Sequence, residues 1–511
     1  MMQHTGRGWN VAGLILSLLA LASCTLGPVD PERPYVSGET TRVLKAGLGI
    51  VDRYHLAPRP LSEMVLRGLK GLATLDRDLR FDLPEDRDQL VVGRGSWTQR
   101  YPLSNAVTAE EWSRLAVTAI DAARSVSPSI RAARAEQVYE LLFDAAFSGL
   151  DRYTLYLSAR EARSNRASRH GYSGIGLSID SEDGLIRVKE AFANGPARQS
   201  GIRKDDIIVQ INGVPVAEWP LAQVGETLRG PRGTPVTLLL SRDGRRFEVT
   251  VTRRDVVVQT VFVEIRDRYG LIRISGFNDR TARSFAGAME TIEDAAVSGL
   301  VIDLRGNPGG VLDETITIAD RLLADGTILS TRGRHPGAHQ QFEARDAESD
   351  IAIPLVVLID HGSASATEVL AAALRDHQRA VLIGGTTRGK GTVQRLHELP
   401  NTGQVNVTWA RMHSPNGRSI DGHGVRPAIC TGDLDRDPDL ALEQIRHPRG
   451  VEVSSDCNSA AGTDFNIELA ARLLANQDLY RRLRIGGIPG TALLHQPVYT
   501  VANTFGVDHL R

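Results

Sequence analysis

Ser365 and Lys390 are of the right types to form a nucleophile–base pair without a histidine or a metal, and they lie 25 positions apart in the stretch 355–394, LVVLIDHGSASATEVLAAALRDHQRAVLIGGTTRGKGTVQ. A serine hydroxyl attacks a carbonyl only when a base takes its proton, and an amine serves as that base only when neutral. A free lysine, with a pKa of about 10.4, is about 0.04% neutral at pH 7. Burial among glycines and apolar strands lowers that pKa by several units. Gly389 and Gly391 leave room for close approach, and no Asp or Glu lies within five residues of Lys390 on either side. Gln394 can accept a hydrogen bond from the amine without adding charge. From spacing alone, a catalytic pair and a bland arrangement, a small-residue helix cap at Ser365 with a surface lysine in a loop, are equally well supported.

Two other chemistries fit the stretch less well. Gly384, Gly389 and Lys390 match the spacing of a phosphate-binding loop, but Gly391 stands where a Ser or Thr would hold magnesium. The residues that follow, TVQRLHELP, are strand-like, not a helix start that could cradle phosphate. A Ser-His-Asp hydrolase would need the elbow G-x-S-x-G, and Ser365 is followed by Ala366 and Thr367. His361, His377 and His397 read as surface or packing residues.

The elements that must hold these residues follow from the apolar pattern. Leu355 to Ile359 and Ala380 to Ile383 read as buried strands, and Glu368 to His377 as a helix. Upstream, Leu271 to Ile274 is a strand, Arg280 to Ala295 a helix, and Gly299 to Leu304 a buried strand ending in Arg305-Gly306-Asn307-Pro308-Gly309-Gly310 before a helix to Leu323. A strand, glycine turn and helix in that order offer free backbone N–H groups to a developing anion. Val405 to Met412 is a further strand, and Ser419 to Pro427 closes the region. Between Gly171 and Arg254 the pattern is of short strands, with Asn212-Gly213 and Asp243-Gly244 as hairpin turns. The first 150 residues read as mostly helical, with a capping box at Thr108–Glu111 and a polar, extended stretch from Glu85 to Asn105. Helix-rich arms of this kind pack or dimerise. No role is read for the acidic region after Cys430.

With 511 residues the chain has room for two to four domains, and a formal net charge of −1 gives no general attraction to nucleic acid. Val11 to Ala22 is an apolar run too short and wrongly flanked for a stable membrane span. It ends in Leu21-Ala22-Ser23-Cys24, which resembles the lipobox of bacterial lipoproteins and implies lipidation of Cys24. Thr25 after the cysteine points to the outer rather than the inner membrane by the same resemblance. Residues 25–40 read as a tether. Cys430 and Cys457, an even pair in an exported chain, are expected to form a disulfide. No C-x-x-C spacing points to a metal.

The segment from Gly174-Ile175-Gly176-Leu177 through Pro196-Ala197, Asp206-Ile207-Ile208 and Leu228-Arg229-Gly230 resembles a PDZ domain in the permuted arrangement of bacterial proteases. Gly362-Ser363-Ala364-Ser365-Ala366-Thr367-Glu368 and Gly389-Lys390-Gly391-x-x-Gln394 resemble the C-terminal processing proteases, the S41 serine peptidases. So do Asp303-Leu304-Arg305-x-Asn307-x-Gly309-Gly310, Leu150-Asp151…Tyr156-Leu157 and Gly422-x-Gly424-Val425-x-Pro427. The resemblance implies an α/β, multi-domain protein: a crotonase/ClpP-like protease core with an inserted PDZ domain and a helical N-terminal region. It divides the chain into a signal peptide (1–24), a linker and mainly helical region (25–165), a PDZ domain (166–256), a protease core (257–430) and a C-terminal extension (431–511).

By the same resemblance Ser365 is the nucleophile, Lys390 the general base and Gln394 the group that orients it. The backbone N–H groups of Gly309, Gly310 and Ala366 form the oxyanion hole, and Ile175, Gly176 and Leu177 receive a substrate C-terminus. Arg388 departs from the family's aromatic residue before Gly-Lys, and its repulsion of Lys390 helps to lower the lysine's pKa. The expected protein is a serine endopeptidase, lipid-anchored on the periplasmic side of the envelope. It needs no cofactor or metal and acts on proteins with unstructured C-termini, with a second copy or an adaptor protein as further partners and no nucleic acid. The rival expectation is a catalytically silent PDZ adaptor lipoprotein.

Overall fold

The computed structural model describes residues 33–84, 88–103, 107–345, 353–432, 434–446, 457 and 463–486. Cys24, the apolar leader and the tether to residue 32 lie outside the described residues.

The N-terminal region packs α1 (Ser37–Tyr54), α2 (Leu61–Leu72), α3 (Ala109–Val126), the short α4 (Pro128–Ala132) and α5 (Ala135–Phe147) around one apolar core. Leu44, Leu48 and Val51 of α1 and Val65, Leu69 and Leu72 of α2 are buried at helical spacing. α2 and α5 cross closely because Gly71 carries no side chain: a Cβ there would lie 2.4 Å from the Leu141 carbonyl oxygen. Thr108 and Glu111 form the capping box that starts α3. The polar stretch read as extended holds β2 (Gln89–Arg94) and β3 (Trp97–Pro102), which join β1 (Leu79–Asp82) in a three-stranded sheet. Leu90 and Val92 of β2 lie on the core, but Val91 between them breaks the alternation, so the signal is weak.

The strand β4 (Leu155–Leu157) and helix α6 (Ala159–His170) lead into a small β-domain. Its elements are β5 (Tyr172–Gly174), β6 (Leu177–Glu182), β7 (Leu185–Ala191), α7 (Pro196–Gln199), β8 (Ile207–Ile211), β9 (Val214–Pro215), α8 (Leu221–Leu228), β10 (Pro235–Arg242), β11 (Arg245–Thr252) and β12 (Arg254–Val256). The sheet order is β11-β10-β8-β7-β6, and β12 pairs with β5 so that entry and exit of the domain are tied together. Asn212-Gly213 and Asp243-Gly244 both have positive φ at each residue, the backbone of a tight hairpin turn.

The core sheet runs β13 (Val261–Arg266), β14 (Tyr269–Ile274), β15 (Gly299–Asp303), β18 (Leu355–Ile359), β19 (Ala380–Gly384) and β22 (Ile429–Cys430), parallel except for β13. Leu355, Val357 and Ile359 face a layer made by α9 (Thr281–Asp294), α10 (Leu312–Leu322) and α11 (Ala366–Asp376). Val356 and Leu358 face the opposite layer, α12 (Pro438–Arg446), α13 (Thr463–Ala475) and α14 (Gln477–Gly486). Burial of both faces explains why β18 is apolar at every position. A second sheet, β17 (Gln340–Ala344), β16 (Gly326–Arg332), β21 (Gln404–His413) and β20 (Thr392–Glu398), carries β4 on β21 and closes the site from the side.

The described helices of the C-terminal extension, for which the sequence offered no role, therefore cover the second face of the core sheet. Tyr480 Oη bridges the backbone of Leu355, accepting from its N–H at 2.9 Å and donating to its carbonyl at 3.2 Å. Cys430 and Cys457 are joined by a disulfide. Cys457 in turn accepts from the N–H of Thr386 at 2.8 Å, in the loop that leads to Lys390.

Candidate active site

β18 delivers the chain to a tight turn at 360–364, and that turn is stitched to the glycine turn after β15. Asp360 Oδ1 accepts from the N–H groups of Gly306, Gly362 and Ser363 at 2.9–3.1 Å. Ser363 Oγ donates to the Leu304 carbonyl at 2.9 Å. The Asn307 carbonyl accepts from Ala364 N–H and Thr367 Oγ1, both at 3.0 Å. Gly309 then abuts Ser365, since a Cβ there would lie 2.7 Å from the Ala364 carbonyl oxygen and 2.9 Å from Ser365 Cβ. Ser365 itself sits at φ 59°, ψ −120°, a conformation that costs a non-glycine residue about 1–3 kcal/mol and marks a functional position more often than a structural one.

Of the three expected oxyanion donors, Gly309 is corrected by the structure. Its N–H is already held by Asn307 Oδ1 at 2.9 Å, in an Asx turn that shapes the loop. The N–H groups of Gly310 and Ala366 have no acceptor among the described residues and line the cleft with Ser365. Ala366 is the first residue of α11, so its N–H also lies at the positive end of the helix dipole.

One carboxylate joins Ser365 and Lys390. Glu368 is fully buried. Its Oε2 accepts from the N–H of Ser365 at 2.7 Å and of Lys390 at 2.8 Å. Its Oε1 accepts from Gly389 N–H at 2.7 Å and from Thr387 Oγ1. Burial pushes its pKa up, and these donors work against that rise. The absence of a nearby acid in the sequence around Lys390 therefore did not hold in space.

Lys390 is partly buried, and burial is the main cause lowering its pKa. Arg169 and then Arg388 add repulsion in the same direction, while Glu368 opposes it. Its ammonium stands 4.9 Å from the ring centroid of Tyr153, a cation–π contact, and is hydrogen-bonded neither to Ser365 nor to Gln394 among the described residues. Gln394 donates from Nε2 to Thr392 Oγ1 at 2.8 Å and to Thr408 Oγ1 at 3.4 Å. The expected Gln394–Lys390 bond is thus absent from this arrangement, although both residues line the same cleft as Ser365.

Tyr153 is fixed by the buried end of the same network. Burial alone would raise the Asp151 carboxyl. Hydrogen bonds from His55 Nε2, Thr154 Oγ1, Tyr153 N–H and Thr408 Oγ1 outweigh it and hold the group well below the usual carboxylate range.

The family model for Peptidase family S41 matches residues 268–431, and the model for the PDZ domain matches residues 163–241. The chain is 34% identical over 301 residues to the carboxy-terminal-processing protease of Bartonella bacilliformis, covering 58% of this chain and 69% of that protein. It is 33% identical over 299 residues to the carboxyl-terminal-processing protease of Synechocystis sp., covering 57% of this chain and 69% of that one. The chain belongs to the carboxy-terminal processing protease family. A solved photosystem II D1 C-terminal processing protease is 25% identical, covering 75% of this chain and 97% of that one, with a TM-score of 0.38.

This S41 peptidase is accordingly a serine-type peptidase, and its cleft of about 500 Å³ gathers Ser365, Ala366, Gly309, Gly310, Lys390 and Gln394. Ile175, Gly176 and Leu177 are not part of that cleft. They open β6, the outer strand of the PDZ sheet, beside α8. Gly176 has φ +75°, and a Cβ on it would lie 2.9 Å from Gly195 Cα. The N–H groups of Ile175 and Gly176 have no acceptor among the described residues. No group of three or more His, Cys, Asp or Glu among the described residues converges to hold a metal ion. Three residues of the cleft or its support were missed: Glu368, Tyr153 and Arg169. Glu368 had a signal, standing three positions after Ser365 at capping-box spacing. Arg169 had none.

Proposed function

We propose that this protease cuts protein chains near unstructured C-termini by acyl transfer, with Ser365 as nucleophile and Lys390 as general base. The observation that carries the reading is the single cleft that holds Ser365, Lys390 and two unengaged N–H groups at Gly310 and Ala366. Neutral Lys390 leaves the Tyr153 ring and takes the Ser365 proton as Oγ attacks the peptide carbonyl. The oxyanion forms against Gly310 and Ala366, where one such donor is worth about 3–4 kcal/mol. Lys390 then passes its proton to the leaving amine, and water completes hydrolysis of the acyl-enzyme. Gln394 has a side-chain carbonyl with which to receive the lysine in that position.

The open edge of β6 would pair with an extended substrate end, whose carboxylate would meet the N–H groups of Ile175, Gly176 and Leu177. The apolar leader and Cys24 support an enzyme tethered by lipid on the periplasmic face of the outer membrane. Dimer formation or an adaptor partner belongs to the same reading through the helical N-terminal region.

The test is cleavage of a tailed model substrate by the chain lacking residues 1–24. Ser365→Ala and Lys390→Ala variants are expected to lose at least about 10³-fold in kcat. Wild-type rates in Lys390→Ala would refute the lysine mechanism, and binding of the tail without any cut would leave a silent adaptor. Metabolic labelling with palmitate and membrane fractionation of wild type and Cys24→Ser test the anchor.

A further inference from the structure

Lys390 shares its cleft with a second cation. Arg169 closes the last turn of α6, where its carbonyl accepts from Asp279 N–H at 3.0 Å. Its side chain lines the same wall as Lys390 and the Gly309-Gly310 turn. It is partly buried, and burial pulls its pKa down. Its guanidinium makes no hydrogen bond or ion pair among the described residues. Asp279 acts on it through space, but that carboxylate is bonded by His170 Nδ1 at 2.6 Å. No Asp or Glu lines the cleft, and Val258, Phe277, Leu312 and Met412 share its wall with neutral Thr260, Ser275, Asn278 and Thr392. A lysine base does its work neutral, which leaves Arg169 as the lasting charge among the residues that line the cleft. A guanidinium fork matches a carboxylate through two parallel hydrogen bonds.

We infer that Arg169 is a specificity-determining residue that receives a substrate carboxylate next to the scissile bond. This rests on the reading of the Ser365 cleft as the place of cleavage. The carboxylate has two sources, an Asp or Glu side chain flanking the cut or the chain end itself. Its arrival also offsets the repulsion that Arg169 exerts on Lys390, so a carboxylate-bearing substrate shifts the acid limb of the rate profile to higher pH.

The experiment uses the mature chain and pairs of tailed peptides that differ at one position flanking the cut, Glu against Gln. A further pair places a free or an amidated C-terminus close behind the cut. Wild type is expected to favour the carboxylate in kcat/KM by about tenfold in one of these comparisons, which names the source. Arg169→Gln should erase that ratio and the pH difference between paired peptides, and Arg169→Glu should turn the preference towards Lys. Arg169→Lys, which keeps charge without the fork, should keep part of it. The ratio within each variant separates recognition from a loss of folded protein, which lowers both members of a pair alike. Absence of a carboxylate preference in wild type, or its survival in Arg169→Gln, overturns the inference. Cleavage by Ser365→Ala would instead overturn the assignment of the cleft, whatever Arg169 does.

Discussion

Replacing Glu368 by Gln tests whether one buried carboxylate sets the catalytic geometry. Four donors converge on it: the N–H groups of Ser365, Gly389 and Lys390 and the hydroxyl of Thr387. A glutamine keeps one acceptor oxygen and turns an NH₂ group towards the other two donors. Two hydrogen bonds to a charged group are lost, about 1.5–3 kcal/mol each. Removing a buried charge returns about 1–2 kcal/mol of desolvation, leaving a net loss of about 2–4 kcal/mol. Because the lost bonds set the spacing of Ser365 from Lys390, kcat should also fall by about 10²-fold with KM little changed. Urea unfolding and steady-state cleavage of a tailed substrate at saturating concentration read the two effects separately. A stability loss with wild-type kcat would show that the carboxylate supports the fold alone. Wild-type values of both would refute the geometric argument.

Ser365→Gly should abolish cleavage yet raise stability by about 1 kcal/mol, the relief of a positive-φ residue less the added entropy of glycine, measured by urea unfolding. Arg388→Gln removes one cause of the lowered Lys390 pKa. Because the base must be neutral, the acid limb of kcat/KM should then move to higher pH. An unmoved limb would show that Arg388 does not act on the lysine. Asp151→Asn should cost about 2 kcal/mol of stability at neutral pH, allowing for the partial exposure of the carboxylate. The folded pKa of Asp151 is depressed, so its contribution is present above the unfolded value and lost as pH falls through the folded one. The stability gap to the variant should therefore close on acidification.

The strands of the core were legible because they are buried on both faces, and β18 and β19 are apolar without interruption. The two glycine hairpins and the Thr108 cap were legible because their conformations admit few residue types. What escaped were relations between distant segments. An argument from neighbours in sequence found no acid near Lys390, whereas Glu368 reaches its backbone from 22 positions away. The family resemblance placed two oxyanion donors in the glycine turn, at Gly309 and Gly310, but a side chain two residues earlier had claimed the one at Gly309. Arg169 arrives on a helix whose polar sequence gives no sign of the cleft it ends in.

The bridge from Tyr480 to Leu355 spans 125 positions of the chain. During synthesis the strand that bears the nucleophile loop emerges long before the helices that cover its other face. Until then Val356, Leu358, Val381 and Ile383 have only neighbouring strand residues such as Leu271 and Val301 beside them, without the cover of α12, α13 and α14. The core sheet therefore gains the cover of its second face only after α13 and α14 have left the ribosome.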